Sequence, residues 1–168
     1  EDHEDVMRAL EPLRKAKKDI KTCVYVPSGG ADIPFDDSNI PVHIKNDLNA
    51  WGFPSDSVLE KVGALKADIL IDITRPGCYA LQYIALRHPS AFKVGIKYPG
   101  QEWYDLGLTV TDKDDIQYLF GQILFYLRSI RAKWYNFLIF AVLNNKKEYF
   151  PHGRHKFKRN GCGVDHAI

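Results

Sequence analysis

The sequence has little sulfur: three cysteines (Cys23, Cys78 and Cys162) and one methionine in 168 residues. An odd number of cysteines at no framework spacing argues against a disulfide scaffold. It points instead to a reducing, cytoplasmic setting. Long hydrophobic runs are also absent. The longest, Phe137 to Leu143, falls far short of the roughly 20 residues that span a bilayer. No signal-peptide pattern is present, although the chain opens at Glu1 rather than Met, so further sequence is expected before it. Neither GxGxxG nor GxxxxGK[ST] occurs, which removes the two common phosphate-cradling loops. Internal repeats and low-complexity tracts are missing too.

What remains suits one soluble domain. The hydrophobic share of 45% and charged share of 26% are ordinary for a globular chain, and the length suits one domain better than two. A core of this size needs no disulfide or metal staple. Charge is unevenly placed. Residues 133–168 hold seven of the 23 basic side chains but only Glu148 and Asp165 of the 21 acidic ones. The reading is therefore an α/β domain over 1–132 and a basic, partly irregular C-terminal extension over 133–168.

Ala67 to Tyr98 organises the body. Asp68–Ile73 is a short apolar run, Thr74-Arg75-Pro76-Gly77 is turn chemistry, Cys78–Arg87 has helical spacing and Phe92–Lys97 is a second apolar run. Strand, turn, helix and strand in about thirty residues is a βαβ unit of a parallel sheet. Around it, Glu1–Ile20 reads as an amphipathic helix carrying Pro12, and Thr22–Val26 as a strand ended by Pro27-Ser28-Gly29-Gly30. Ile40–Ile44 reads as an edge strand because of Pro41, and Lys45–Pro54 as a helical turn or two. Ser55 is expected to cap a helix reaching about Leu65. Asp105–Val110 reads as a further strand. Thr111 is expected to cap a long helix whose stripe runs from Ile116 to Ile130.

The predicted fold is a three-layer αβα sandwich, Rossmann-like or flavodoxin-like, with a mostly parallel sheet. One element is out of place: the chain starts with a helix where such a fold supplies a strand. A first, central strand is expected to be missing. Trp134–Leu143 is apolar without a clean period, and its segment Phe137–Val142 is expected to fill or flank the gap.

Ligands of open α/β sheets bind beyond the carboxyl ends of the strands. Those ends supply the candidates Ser28, Gly29, Gly30, Asp72, Thr74, Arg75, Gly77 and Lys97. Asp72, inside an apolar strand, is either a base or metal ligand with a raised pKa, or a helix cap or partner of Arg75. Arg75 and Lys97 are natural anion partners, and the glycines either cradle an anion or simply turn the chain. Cys78 lacks a base placed to activate it and reads as a buried, inert thiol. Trp51 and the Trp103-Tyr104 pair read as packing or, if exposed, as a partner surface. His152, His155, Cys162 and His166 are zinc-binding residue types, but their spacing matches no zinc-finger pattern, so no metal is assigned. Arg154–Asn160 (RHKFKRN) is a basic stretch with one aromatic, which reads as a solvated tail before a nucleic-acid surface.

Several motifs in order carry a family resemblance. They are Asp47-Leu48-Asn49-Ala50-Trp51-Gly52-Phe53-Pro54, then Ala67–Asp72 (ADILID), Phe92-Lys93-Val94-Gly95 and Tyr104-Asp105-Leu106. Over about residues 5–131 the chain resembles a family of short bacterial proteins of unknown function. The resemblance implies a single cytoplasmic α/β domain, with no activity or catalytic residue to carry over, whose members begin with a strand before the first helix. Ala50 is an insertion in the pattern, and residues 133–168 lie beyond it.

Three functions stay open. The first is a non-catalytic domain binding a protein partner or small anionic ligand at the strand ends. The second is a small transferase or hydrolase acting on a phosphorylated or nucleotide-like substrate through Asp72 and Arg75. The third is nucleic-acid association through the basic tail. No cofactor is indicated.

Overall fold

The computed structural model describes residues 3–26, 37–74, 78–109, 111, 115–130 and 136–142. In chain order the elements are α1 (His3–Lys15), β1 (Asp19–Val26), β2 (Asn39–His43), α2 (Ile44–Asp47), α3 (Asp56–Gly63) and β3 (Ile69–Asp72). They are followed by α4 (Tyr79–Arg87), β4 (Phe92–Ile96), β5 (Leu106–Leu108), α5 (Ile116–Ser129) and β6 (Asn136–Val142). The strands form one six-stranded sheet in the order β2-β1-β6-β3-β4-β5, with every pairing parallel. This is the three-layer α/β fold expected.

Each face of the sheet has its own core. Val6, Leu10 and Leu13 of α1 pack with Leu119, Phe120 and Ile123 of α5 over Val24, Ile71, Val94 and Ile139. On the other face, Val58 and Val62 of α3 and Leu81 and Ile84 of α4 cover Cys23, Leu70, Leu138 and Phe140. The crossovers β2–α3–β3 and β3–α4–β4 step one way along the sheet on one face. The return through α5 from β5 to β6 uses the other face, as a single crossover hand requires.

The segment expected to fill the central gap does so. β6 pairs with β1 from Asp19↔Asn136 to Tyr25↔Val142, and with β3 from Ile69↔Phe137 to Asp72↔Phe140. Its missing period has a simple cause. A central parallel strand is buried on both faces, so Phe137, Ile139 and Ala141 serve one core while Leu138 and Phe140 serve the other. β6 lies beyond the compositional boundary at 132. β2 is an edge strand, and Pro41 sits in it without disrupting a central ladder.

Several boundaries differ from the sequence reading. α1 stops at Lys15 rather than running to Ile20, because Lys17 takes a left-handed conformation (φ 53°). Lys18 N then donates to Leu13 O and Lys17 N to Arg14 O, a Schellman cap that frees Asp19 onward to join β1. Asp115, not Thr111, caps α5, its Oδ1 accepting from Tyr118 N at 2.7 Å. Ser55 occupies the N-cap position of α3 but makes no side-chain cap bond. The 45–54 stretch is one helical turn, α2, and then a tight loop closed by a Leu48–Pro54 bridge.

Candidate functional site

The carboxyl end of β3 holds a buried carboxylate cluster. Asp72 alternates onto the α4 side of the sheet, opposite Gly95 of β4 and Phe140 of β6, and is 1% exposed. Its Oδ1 accepts from Thr74 N at 2.9 Å and from Thr74 Oγ1 at 2.6 Å, an Asx turn reinforced by the hydroxyl. Its Oδ2 accepts from Tyr104 Oη at 2.6 Å. Both oxygens therefore have donors inside the fold.

Tyr104 reaches Asp72 because residue 95 is glycine. A Cβ there would lie 2.5 Å from the Tyr104 ring, so the ring takes the space a side chain would fill. A glycine inside a strand signals this kind of close approach. The glycine of the F-K-V-G motif thus makes room for a contact between residues 32 apart. Tyr98 extends the cluster, its hydroxyl donating to Thr74 O at 3.4 Å.

Electrostatics follow from burial. Desolvation pushes the Asp72 carboxyl above its usual range, against the three hydrogen bonds that favour the charged form. Burial, and then the adjacent Asp72 charge, keep the Tyr104 phenol protonated. Cys78, at the start of α4, is pushed up to about 12, chiefly by burial and further by Asp72. Burial of this kind disfavours the thiolate, the nucleophilic form. Cys23 is likewise buried and pushed up to about 12.

Of the eight strand-end candidates, Asp72 and Thr74 are joined directly. Lys97 is not part of their cluster: it is exposed, packs over Gly107 and faces Glu102 at 3.6 Å. Ser28, Gly29, Gly30, Arg75 and Gly77 lie outside the described residues, as do the His/Cys tail and the RHKFKRN stretch. Among the described residues no cluster of His, Cys, Asp or Glu could hold a metal ion, and no helix is long and apolar enough to cross a membrane.

A second feature is aromatic, starting near this edge and running along α4. The loop between α2 and α3 leaves the sheet at the carboxyl end of β2. Asn49 Oδ1 accepts from Trp51 N and Phe53 N, and Gly52 supplies φ +79°. This turn holds Trp51 86% and Phe53 54% exposed. Phe53 meets Tyr83 of α4 edge-on at 5.8 Å, and Arg87 lies 6.0 Å from the Tyr83 ring centre. Tyr79, one helical turn before Tyr83, is 75% exposed.

Fold and site together define a three-layer α/β domain with a buried carboxylate cluster at its strand ends and exposed aromatics along α4 and the loop before α3. The chain belongs to a family of unknown function (DUF6913), whose model matches residues 1–130. No curated protein and no solved structure matches it.

Proposed function

We propose that the chain is a non-catalytic α/β domain that binds a protein partner at the carboxyl ends of its strands. The exposed aromatic set Trp51, Phe53, Tyr79 and Tyr83, flanked by Arg87, carries this reading. Trp, Tyr and Arg dominate the energetics of protein interfaces, and exposed aromatics that touch, as Phe53 and Tyr83 do, favour a contact surface. Asp72 supports it from the other side, since its oxygens are engaged by Thr74 and Tyr104 and its placement has a structural account. A small anionic ligand at the same edge is the weaker reading, because the described cation there, Lys97, faces Glu102. The free, buried thiols of Cys23 and Cys78 support a reducing, cytoplasmic setting.

The test places a photocrosslinking phenylalanine analogue at position 51. One discrete partner should be captured, and capture should fall about tenfold when Phe53 and Tyr79 are serine. Both positions are exposed, so the double variant should keep the wild-type circular dichroism. A thermal shift with sugar phosphates or nucleotides that the serine variant retains would favour the anion. Turnover of a phosphorylated substrate that Asp72→Asn abolishes would favour the enzyme and overturn the proposal.

A further inference from the structure

The centre of the sheet has walls and a plug that are separable in sequence. The walls are β1 and β3, which make no ladder with each other and meet only through β6. Both lie within the part of the chain that the family model matches, residues 1–130. The plug, Asn136–Val142, lies outside it.

The walls require a strand. Cys23, Val24, Ile69, Leu70 and Ile71 are all fully buried with β6 in place, so without a strand in the slot their apolar side chains would be uncovered and the inner edges of β1 and β3 would lose their ladders. Uncovered apolar area costs about 25 cal/mol per Å², which favours any strand that can cover both cores. The slot also specifies its occupant. Alternate positions must be apolar on both faces, because one face meets the α1/α5 core and the other the α3/α4 core. Charge and proline are excluded along the seven-residue ladder with β1.

The register is set at the amino end by a reciprocal contact. Asp68 N donates to Asn136 O at 3.0 Å, and Asp68 Oδ2 accepts from Asn136 N at 2.9 Å and from Asn136 Nδ2 at 3.4 Å. At the other end Ile73 N donates to Phe140 O at 3.0 Å. A strand slipped by one residue would exchange its two faces and lose Asp68.

We propose that the slot between β1 and β3 is a strand-acceptor site, which β6 fills in cis and which takes an equivalent strand from a second polypeptide. The ligand class is an uncharged, extended segment parallel to β1, with Asn at its first position and apolar side chains on both faces. Recognition is strand addition: main-chain ladders give affinity, and side-chain pockets with Asp68 give selectivity.

The test uses the full chain carrying a specific protease site between residues 131 and 135, cleaved after folding. The cleaved segment should stay bound through size exclusion. After unfolding in urea and dilution, a fluorescent peptide of residues 136–142, flanked by lysines, should enter about tenfold more than a scrambled peptide. Replacing its Asn by Leu should weaken uptake. Equal uptake of the scrambled peptide, no uptake of the native one, or a segment that elutes apart from a still-folded remainder would each overturn the proposal. Leu138→Asp in the uncleaved chain is a second arm: its weakened β6 should let the native peptide bind where the wild type takes up none. Failure of this variant to bind the peptide would also overturn the proposal. Neither arm depends on the exposed aromatics, so its result is independent of the partner reading.

Discussion

Asp72 and His88 are buried polar residues at opposite ends of the sheet, and the fold treats them differently. Asp72, 1% exposed at the carboxyl end of β3, has donors on both oxygens. His88, 3% exposed just after α4, donates through Nε2 to Leu65 O at 3.2 Å, while its Nδ1 is buried without a hydrogen bond among the described residues. Burial shifts both groups toward their neutral forms, so a perturbed pKa alone would flag each as functional. The hydrogen bonds tell them apart. Asp72 is a junction where three donors from two segments converge, and His88 is a packed ring that meets only backbone carbonyls among the described residues, chiefly Leu65 O.

The largest expected effect comes from removing the junction. Asp72→Leu leaves Thr74 N, Thr74 Oγ1 and Tyr104 Oη without their acceptor. Urea denaturation should show a loss of about 3 kcal/mol or more. Next, Gly95→Ala drives a methyl into the Tyr104 ring and should pull its hydroxyl from Asp72, costing about 1–3 kcal/mol. Tyr104→Phe removes the hydroxyl that meets Asp72 Oδ2 and the Gln82 side chain, and should cost about 1–1.5 kcal/mol. His88→Leu gives up one hydrogen bond but relieves an unpartnered nitrogen, so its cost should stay within about 1 kcal/mol. If His88→Leu proved as damaging as Asp72→Leu, the contrast would collapse.

These contacts were unequally legible in the sequence. The βαβ unit at 67–98 could be read because each strand is bounded by turn residues and the helix has an apolar stripe. β6 was harder to type, since a strand buried on both faces loses the period-two signature and resembles a buried helix segment. Its place was legible only indirectly, through the helix-first order of the chain. Asp72 stood out as a carboxylate in an apolar run, but its partner Tyr104 did not, because sequence spacing carries no information about a contact made across two strands. The end of α1 was misread because a lysine in the left-handed region leaves no glycine to announce the cap.

The smallest effect has the clearest sign. The folded carboxyl of Asp72 binds its proton more tightly than the unfolded one, whose value is 3.8. The associated stability is complete below 3.8 and is lost as pH rises through the raised folded value. His88 behaves oppositely. Burial, aided by Lys93, lowers its proton affinity below the ordinary 6.5, despite help from the carbonyls of Leu65 and Val62. Its contribution is complete above 6.5 and is lost as pH falls through the lowered value. Stability measured against pH should therefore differ between wild type and each isosteric variant in opposite directions. The advantage of Asp72→Asn over wild type should grow as pH climbs from 3.8, and that of His88→Gln should grow as pH falls from 6.5. Neither difference should exceed the single-proton slope of about 1.4 kcal/mol per pH unit. Parallel rather than opposed differences would mean that the two ends of the sheet are not held by the contacts described.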